Sequence, residues 1–176
     1  MTEKLSKRQE IPNLKVRDSA HQFKCAWDLL NQMPIGSGLL LPKVNVAAVA
    51  IELYLKSLSS ESIYTPTELM PDVYLVTAKS EQFGHVLIEQ FRKIKMELQK
   101  SINSQFTEMF PENKKRFPEV LMALEGAFKA SRYSFEKGCD ITKYSLIDLD
   151  NVCTFLHKYT YSLEIKEFIT SQGEKN

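Results

Sequence analysis

The sequence is poor in the residues that build many small functional sites. Its three cysteines, Cys25, Cys139 and Cys153, are widely spaced, and none belongs to a C-x-x-C pair. This spacing argues against a disulfide framework and against a zinc site. Six glycines form no loop that could cradle a phosphate, and no serine or cysteine nucleophile stands with a paired base. We therefore expect no metal, no cofactor and a reducing environment.

Strong charge and long hydrophobic runs are also missing. The formal net charge is +1, so no global field indicates a nucleic acid or a membrane, and any such binding has to be local. No run approaches the roughly 20 apolar residues of a membrane helix, and residues 1–10 lack the apolar core of a signal peptide. These absences predict a cytoplasmic protein that does not contact a membrane.

Hydrophobic residues are plentiful and regularly spaced. They make up 43% of the 176 residues, against 26% charged residues, which is the balance of one globular domain. The domain is expected over residues 17–169. The polar residues 1–16 predict a flexible N-terminal arm, and residues 170–176 predict a frayed tail.

Five stretches have the apolar periodicity of helices, and the second is apolar on all sides, as in the middle of a bundle. After it, Pro66 and Pro71 interrupt the spacing around a short alternating, aromatic run, which predicts an extended or hairpin excursion near residues 62–78. The sequence thus predicts an all-α bundle of about five helices with one short excursion. The helices are expected at 18–33, 42–60, 85–106, 118–135 and 149–163.

Two charged side chains interrupt the apolar second helix between Val44 and Leu58. Glu52 and Lys56 are four residues apart, so they can form an ion pair along the helix. One interpretation places the pair at the solvated edge of the bundle. The other places it in an internal cleft, where further polar groups have to meet it because an unpartnered buried charge is costly.

Arg132 and Glu136 are candidate partners for that pair, and Tyr133 lies between them. A guanidinium offers a fork of donors that matches a carboxylate or a phosphate. On a continuous helix, however, both residues share a narrow stripe of alternating sign with Glu125 and Lys129, which is typical of a solvated face. Arg132 also borders the apolar face of its helix, which keeps the cleft interpretation open.

The three histidines divide into one candidate and two others. His85 falls at an expected helix start, where the dipole favours a neutral imidazole able to exchange a proton, although a simple capping or loop role also fits. His21 and His157 are expected to be surface or capping residues. Together, the candidate cleft residues are Glu52, Lys56, His85, Arg132, Tyr133 and Glu136.

A modest basic set accompanies the third helix and the loop after it. These residues could contact a phosphate backbone, but interspersed acidic residues make a solvated face equally consistent. The set consists of Arg92, Lys93, Lys95, Lys114, Lys115 and Arg116.

Three short segments resemble the HEPN-like helical proteins of prokaryotic toxin–antitoxin pairs and phage defence. They are "AIELYLKSL" in the second helix, "FGHVL" at the next helix start and "ASRYSFEKG" further on. In related members the corresponding segments resemble "ALELYLKALL", "GHDL" and an arginine followed by an aromatic residue and a glutamate. The resemblance spans roughly Ala20 to Leu163.

The resemblance implies a function directed at RNA or a nucleotide, often in a homodimer, with a toxin or a nucleotidyltransferase as a possible protein partner. Catalytic HEPN ribonucleases carry an arginine followed four to six residues later by a histidine. This sequence departs from that pattern, because after Arg132 the next histidine is His157.

The sequence therefore favours a non-catalytic HEPN-like domain that binds RNA, a nucleotide or a cognate protein through a polar cleft between helices. One alternative is a metal-independent ribonuclease that uses Arg132 with His85 or Glu136. The other is a structural or adaptor bundle whose charged residues are ordinary surface pairs.

Overall fold

A computed structural model of the chain describes residues 6–34, 36–67, 73–79 and 85–170. These ranges contain seven α-helices, a short 3-10 turn at Ile141–Lys143 and four strands. In chain order the helices and strands are β1 (Ser6–Ile11), α1 (Leu14–Asn31), α2 (Leu40–Ser57), β2 (Glu61–Pro66), β3 (Tyr74–Lys79), α3 (Leu87–Arg92), α4 (Met96–Met109), α5 (Phe117–Ala123), α6 (Ala127–Arg132), α7 (Leu146–Ser162) and β4 (Lys166–Thr170).

The helices form a bundle around α2, as the sequence predicts. α2 contacts α1, α3, α6 and α7, so most of its apolar residues beyond the first turn are buried. Ala47, Ile51 and Leu55 are among its fully buried side chains. At the other end of the core, Phe106 of α4, Phe117 of α5 and Phe155 of α7 pack against one another. The bundle is thus held together mainly by the burial of aliphatic and aromatic surface.

No described helix is both long enough and apolar enough to cross a membrane.

The expected excursion near residues 62–78 is confirmed as an antiparallel hairpin of β2 and β3, in which Ile63 lies opposite Thr77. It belongs to a larger sheet, with the strand order β3-β2-β1-β4, that the sequence does not predict. β1 pairs antiparallel with β2 on one side and with β4 on the other, where Gln9 lies opposite Phe168. The sheet thus joins the two ends of the described chain.

The predicted flexible arm over residues 1–16 needs correction. Residues 6–11 form β1, whose backbone hydrogen bonds are satisfied by β2 and β4. α1 follows from Leu14, and the side chain of Asn13 caps it by accepting a hydrogen bond from the Val16 amide at 3.2 Å. Residues 1–5 and residues 171–176 of the predicted tail lie outside the described residues.

Two of the five predicted helices are broken. The third divides into α3 and α4 at residues 93–95. There the side-chain Nε2 of Gln99 donates hydrogen bonds to the backbone carbonyls of Arg92 and Ile94 at 3.1 and 2.6 Å. The fourth divides into α5 and α6 at Gly126, whose φ of 81° is left-handed. A glycine accommodates that conformation without the steric penalty that a side chain would add. The break at Gly126 lies at the candidate site, since Gly126 and its neighbours line the pocket described below.

Candidate functional site

Glu52 is a buried carboxylate with partners from two parts of the chain. It lies on α2 and is 6% exposed. Its Oε1 accepts from the Lys56 Nζ at 2.6 Å, and its Oε2 lies 2.8 Å from His85 Nδ1. Lys56 is one helical turn away, whereas His85 comes from the segment that leads into α3. Of the two interpretations of this ion pair, the structure fits the cleft, because a polar group from another segment meets it.

The carboxylate of Glu52 fixes which ring nitrogen of His85 is protonated. An ionised carboxylate can only accept hydrogen bonds, so the His85 Nδ1 has to carry the hydrogen. The Nε2 is then the atom that can accept a proton from, or donate one to, another molecule. The His85 side chain is 59% exposed, so this nitrogen is accessible. A carboxylate that orients an imidazole in this way is a common arrangement in acid–base sites.

The side chains of His85 and Arg132 both lie next to the ring of Phe128. The two ring centroids of His85 and Phe128 are 4.6 Å apart, and the Arg132 Cζ lies 5.2 Å from the Phe128 centroid. Arg132 also lies 5.7 Å from the centroid of the Tyr133 ring. An imidazole from the segment before α3 and a guanidinium from the end of α6 thus lie against one aromatic side chain.

These side chains surround a pocket of about 380 Å³ between α2, the start of α3 and the α5–α6 segment. Its wall is mainly apolar, with polar groups at a few places. This is the usual composition of a site for a small organic ligand. The lining residues are Ala48, Glu52, His85, Val86, Leu87, Leu124, Glu125, Gly126, Ala127, Phe128, Lys129, Arg132 and Tyr133.

The rim of the pocket carries positive charge that the described part of the chain does not neutralise. Lys129 and Arg132 both line the pocket, and neither forms an ion pair with a carboxylate of the described residues. Lys56 differs from them, because its charge is balanced by Glu52. Two cations at the rim of an apolar pocket favour a ligand with an anionic group.

Glu125 ties the wall of the pocket together. Its Oε2 accepts a hydrogen bond from the Leu87 amide at 3.0 Å, so it satisfies the first turn of α3. Partial burial raises the pKa of this carboxyl, although hydrogen bonds from the Ile88, Leu87 and Gly126 amides act in the opposite direction. Glu125 thereby holds the start of α3, and with it His85, against the α5–α6 segment.

The structure brings most of the predicted cleft residues together. Glu52, His85, Arg132 and Tyr133 line the pocket, and Lys56 joins them through its ion pair with Glu52. We predicted Glu136 as a further member, but it does not line this pocket. The reason is that α6 ends at Arg132, so the helical stripe that would align Glu136 with it does not exist.

Sequence reasoning missed Phe128 and Glu125 as members of the site. Phe128 appeared only as a flanking residue of Arg132, and Glu125 only as part of a solvated stripe. The pattern gave a partial signal for Phe128, because it lies one helical turn before Arg132. No sequence signal pairs Glu125 with the amide of Leu87, since that contact depends on how α3 packs against α5.

The basic set on α3 and the following loops is partly neutralised by the chain itself. Arg92 pairs with Glu89 at 2.6 Å, Lys115 with Asp148 at 3.1 Å, and Arg116 with Glu119 at 3.1 Å. Lys93, Lys95 and Lys114 are exposed. Binding of a nucleic acid to this surface stays a prediction.

Over the residues that the structure describes, no group of three or more His, Cys, Asp or Glu side chains could hold a metal ion. Comparisons of the chain with family models, with curated proteins and with solved structures find no match. Fold and site together define a helical bundle with a mainly apolar pocket and a cationic rim. Membership of the HEPN-like family stays a prediction, and the function has to be argued from the pocket.

Proposed function

We propose that this pocket binds a nucleotide unit, either free or as part of single-stranded RNA, through its phosphate and its base. The observation that carries the proposal is the position of Arg132 and His85 against the same Phe128 ring, at the rim of an apolar pocket. A cation and an aromatic surface at one opening match the two chemical parts of a nucleotide.

The phosphate is assigned to the cationic rim. Arg132 offers a planar fork of donors that matches two phosphate oxygens, and Lys129 adds a second positive charge. Neither charge is used by a carboxylate of the described residues, so an incoming anion displaces no internal ion pair. This distinguishes the rim from Arg92, Lys115 and Arg116 of the basic set, whose charges already pair with carboxylates.

The base is assigned to the apolar wall. Phe128 and Tyr133 supply aromatic faces, and stacking of a base on such a face contributes about 1–3 kcal/mol. A pocket of about 380 Å³ is within the range of small-ligand sites. The resemblance to HEPN-like proteins implies the same class of ligand, and it also implies a homodimer, but the proposal rests on the pocket.

Replacing Arg132 by alanine is expected to weaken binding of adenosine monophosphate about 10- to 100-fold, because charge-assisted hydrogen bonds of about 1.5–3 kcal/mol are lost. Arg132→Lys should restore only part of the affinity, since an ammonium lacks the planar fork. Isothermal titration calorimetry at low salt measures both effects. A fluorescence anisotropy titration with a labelled single-stranded RNA of mixed sequence measures the same site in a polymer.

Arg116→Ala is the matched control. It removes an arginine that already pairs with Glu119, so affinity for adenosine monophosphate should be unchanged. Affinity for RNA should fall with Arg116→Ala only if the predicted basic surface also contributes. An affinity for both ligands that Arg132→Ala leaves intact, or no measurable binding of either ligand at low salt, would refute the proposal.

A second candidate function is metal-independent cleavage of RNA, favoured by the hydrogen bond between His85 and Glu52. In this reaction the His85 Nε2 takes the proton of a ribose 2′-hydroxyl, and the oxygen attacks the adjacent phosphorus. The bond from phosphorus to the 5′ oxygen breaks, that oxygen takes a proton from water, and the hydroxide so formed receives the proton held by His85. The products are a 2′,3′-cyclic phosphate and a free 5′-hydroxyl, while Arg132 stabilises the charge that develops on the phosphate.

If the chain cleaves RNA, His85→Gln should slow the reaction about 100-fold or more, because general acid–base catalysis contributes about 10²–10⁴. The rate is measured with labelled RNA in the presence of EDTA. His21→Gln is the control, since His21 lies on α1 away from the pocket lining, and it should cleave at the wild-type rate. If His85→Gln cleaves RNA as fast as wild type, this reaction is excluded. If the wild type does not cleave RNA, the reaction is also excluded, and the binding proposal is not affected.

A further inference from the structure

A second cluster of titratable side chains lies away from the pocket, where α1, α2 and α7 meet. His21 of α1 and His157 of α7 stack with ring centroids 5.0 Å apart and planes 15° apart. The Nδ1 of His157 lies 3.0 Å from the hydroxyl of Tyr54, a fully buried residue of α2. The sequence predicts both histidines as surface or capping residues, but they form a contact that joins three helices.

The surroundings of the stacked pair are aromatic and carry charges of both signs. The Arg17 guanidinium lies 4.1 Å from the centroid of the Tyr161 ring, which is 4.8 Å from the His157 ring. Lys24 is buried and its ammonium pairs with Asp28 at 2.6 Å, while the Arg17 guanidinium pairs with Asp18 at 3.3 Å. The charged and titratable groups around the pair are Arg17, Lys24, Cys25 and Asp28 from α1, Tyr54 from α2, and Asp150, Cys153 and Tyr161 from α7.

The hydrogen bond to Tyr54 favours the neutral form of His157. Burial raises the pKa of the Tyr54 hydroxyl, so this group keeps its proton and can donate it to an unprotonated Nδ1. When His157 is protonated, its Nδ1 carries a hydrogen and can no longer accept one. The Tyr54 hydroxyl then has to accept the hydrogen bond from Nδ1, and its own hydrogen loses its acceptor. Protonating both imidazoles would also bring two like charges face to face.

We propose that the His21–His157 pair is a proton-sensitive contact, and that proton uptake by the pair in mildly acidic solution loosens α1 and α7 from each other. Two features of the geometry support it: the parallel stacking of the two rings and the contact of His157 with the buried Tyr54 hydroxyl. Other pH-responsive proteins use histidine contacts in a similar way.

The direction of the effect follows from linkage. Burial lowers the pKa of His157, and the charges of His21, Lys24 and Arg17 act in the same direction, whereas only Asp28 opposes them. The unfolded chain, with an ordinary histidine near 6.5, then binds the proton more readily than the folded chain. The contribution of His157 to stability is therefore complete above the ordinary pKa and is lost as the pH falls below it.

The test compares urea unfolding of the full chain at about pH 7.5 and about pH 5.5, a range in which histidines are the main titrating side chains. Below the ordinary histidine pKa, the unfolded chain binds up to one more proton than the folded chain, and this difference changes the folding equilibrium constant by up to about tenfold per pH unit. We expect wild type to lose stability at the lower pH, and His157→Gln to lose clearly less. Phe135→Ala, which removes no titratable group and lies at a position that is 83% exposed, should lose as much as wild type.

An NMR titration of the wild type keeps the test decisive even if His157→Gln folds poorly. Three histidines give three resolved imidazole C2–H signals, each assigned from one single variant. The proposal requires the His157 signal to titrate at lower pH than an ordinary histidine, together with faster amide exchange in α1 and α7 at the lower pH. An ordinary His157 titration, or an acid loss of stability that His157→Gln leaves unchanged, would overturn it.

Discussion

Replacing Phe106 by alanine is expected to lower the free energy of unfolding by about 3–5 kcal/mol. Phe106 lies on α4 and is 1% exposed. Its ring centroid is 5.1 Å from that of Phe117, 5.3 Å from that of Phe155 and 5.2 Å from that of Phe110. Truncation to alanine leaves a cavity among rings that α5 and α7 hold in place, so the neighbours cannot collapse to fill it. Urea unfolding followed by circular dichroism measures the change.

Phe135→Ala is the matched control, because it removes the same side chain from a position that is 83% exposed. It should change the free energy of unfolding by no more than about 0.5 kcal/mol. Equal effects of the two substitutions would mean that α4 does not pack against α5 and α7 as described. Retained helical signal in both variants at low urea confirms that each comparison starts from a folded state.

The helical part of the fold could be predicted because local patterns determine it. α2 is the clearest case: a stretch of apolar residues on every side of a helix can be buried only in the middle of a bundle. The hairpin of β2 and β3 was also predictable, since the two strands are close in the chain. In both cases the residues that decide the structure are neighbours in sequence.

The rest of the fold depends on contacts between distant residues. β1 is polar and carries no strong strand signal, and it forms because its backbone pairs with β2 and with β4 near the other end of the chain. Strand formation depends strongly on such context. The break at residues 93–95 contains neither glycine nor proline, so it has no local marker; the Gln99 side chain satisfies the carbonyls there.

The candidate site was predicted in outline for a similar reason. A charged pair in an apolar helix requires partners, which makes Arg132 a candidate, whereas His85 is a candidate because of its expected place at a helix start; both line the pocket with Glu52. Glu136 was placed on the same helix face as Arg132, but the chain leaves the helix after Arg132. Helical spacing predicts side-chain neighbours only as far as the helix itself continues.

Glu52→Ala is expected to lower the free energy of unfolding by about 2–3 kcal/mol, because it removes the shared acceptor of Lys56 and His85 from a buried position. A fully buried ion pair that loses one partner costs about 3–5 kcal/mol. The smaller value is expected here because Lys56 can extend its ammonium to water and His85 is largely exposed. Removing Lys56 as well, in Glu52→Leu with Lys56→Met, should recover part of the loss, since no charge is then left at the pocket wall.

Glu89→Ala separates this effect from that of an ordinary ion pair. Glu89 accepts a hydrogen bond from Arg92 at 2.6 Å, the same distance as between Glu52 and Lys56, but the side chains of Glu89 and Arg92 are both mostly exposed. An exposed pair contributes about 0–1 kcal/mol, so the stability of this variant should be close to that of wild type. Equal losses in Glu52→Ala and Glu89→Ala would show that Glu52 is solvated, and the pocket would then lack the oriented imidazole on which RNA cleavage depends. A large loss in Glu52→Ala alone would show that Glu52 is a buried carboxylate that has to be paired.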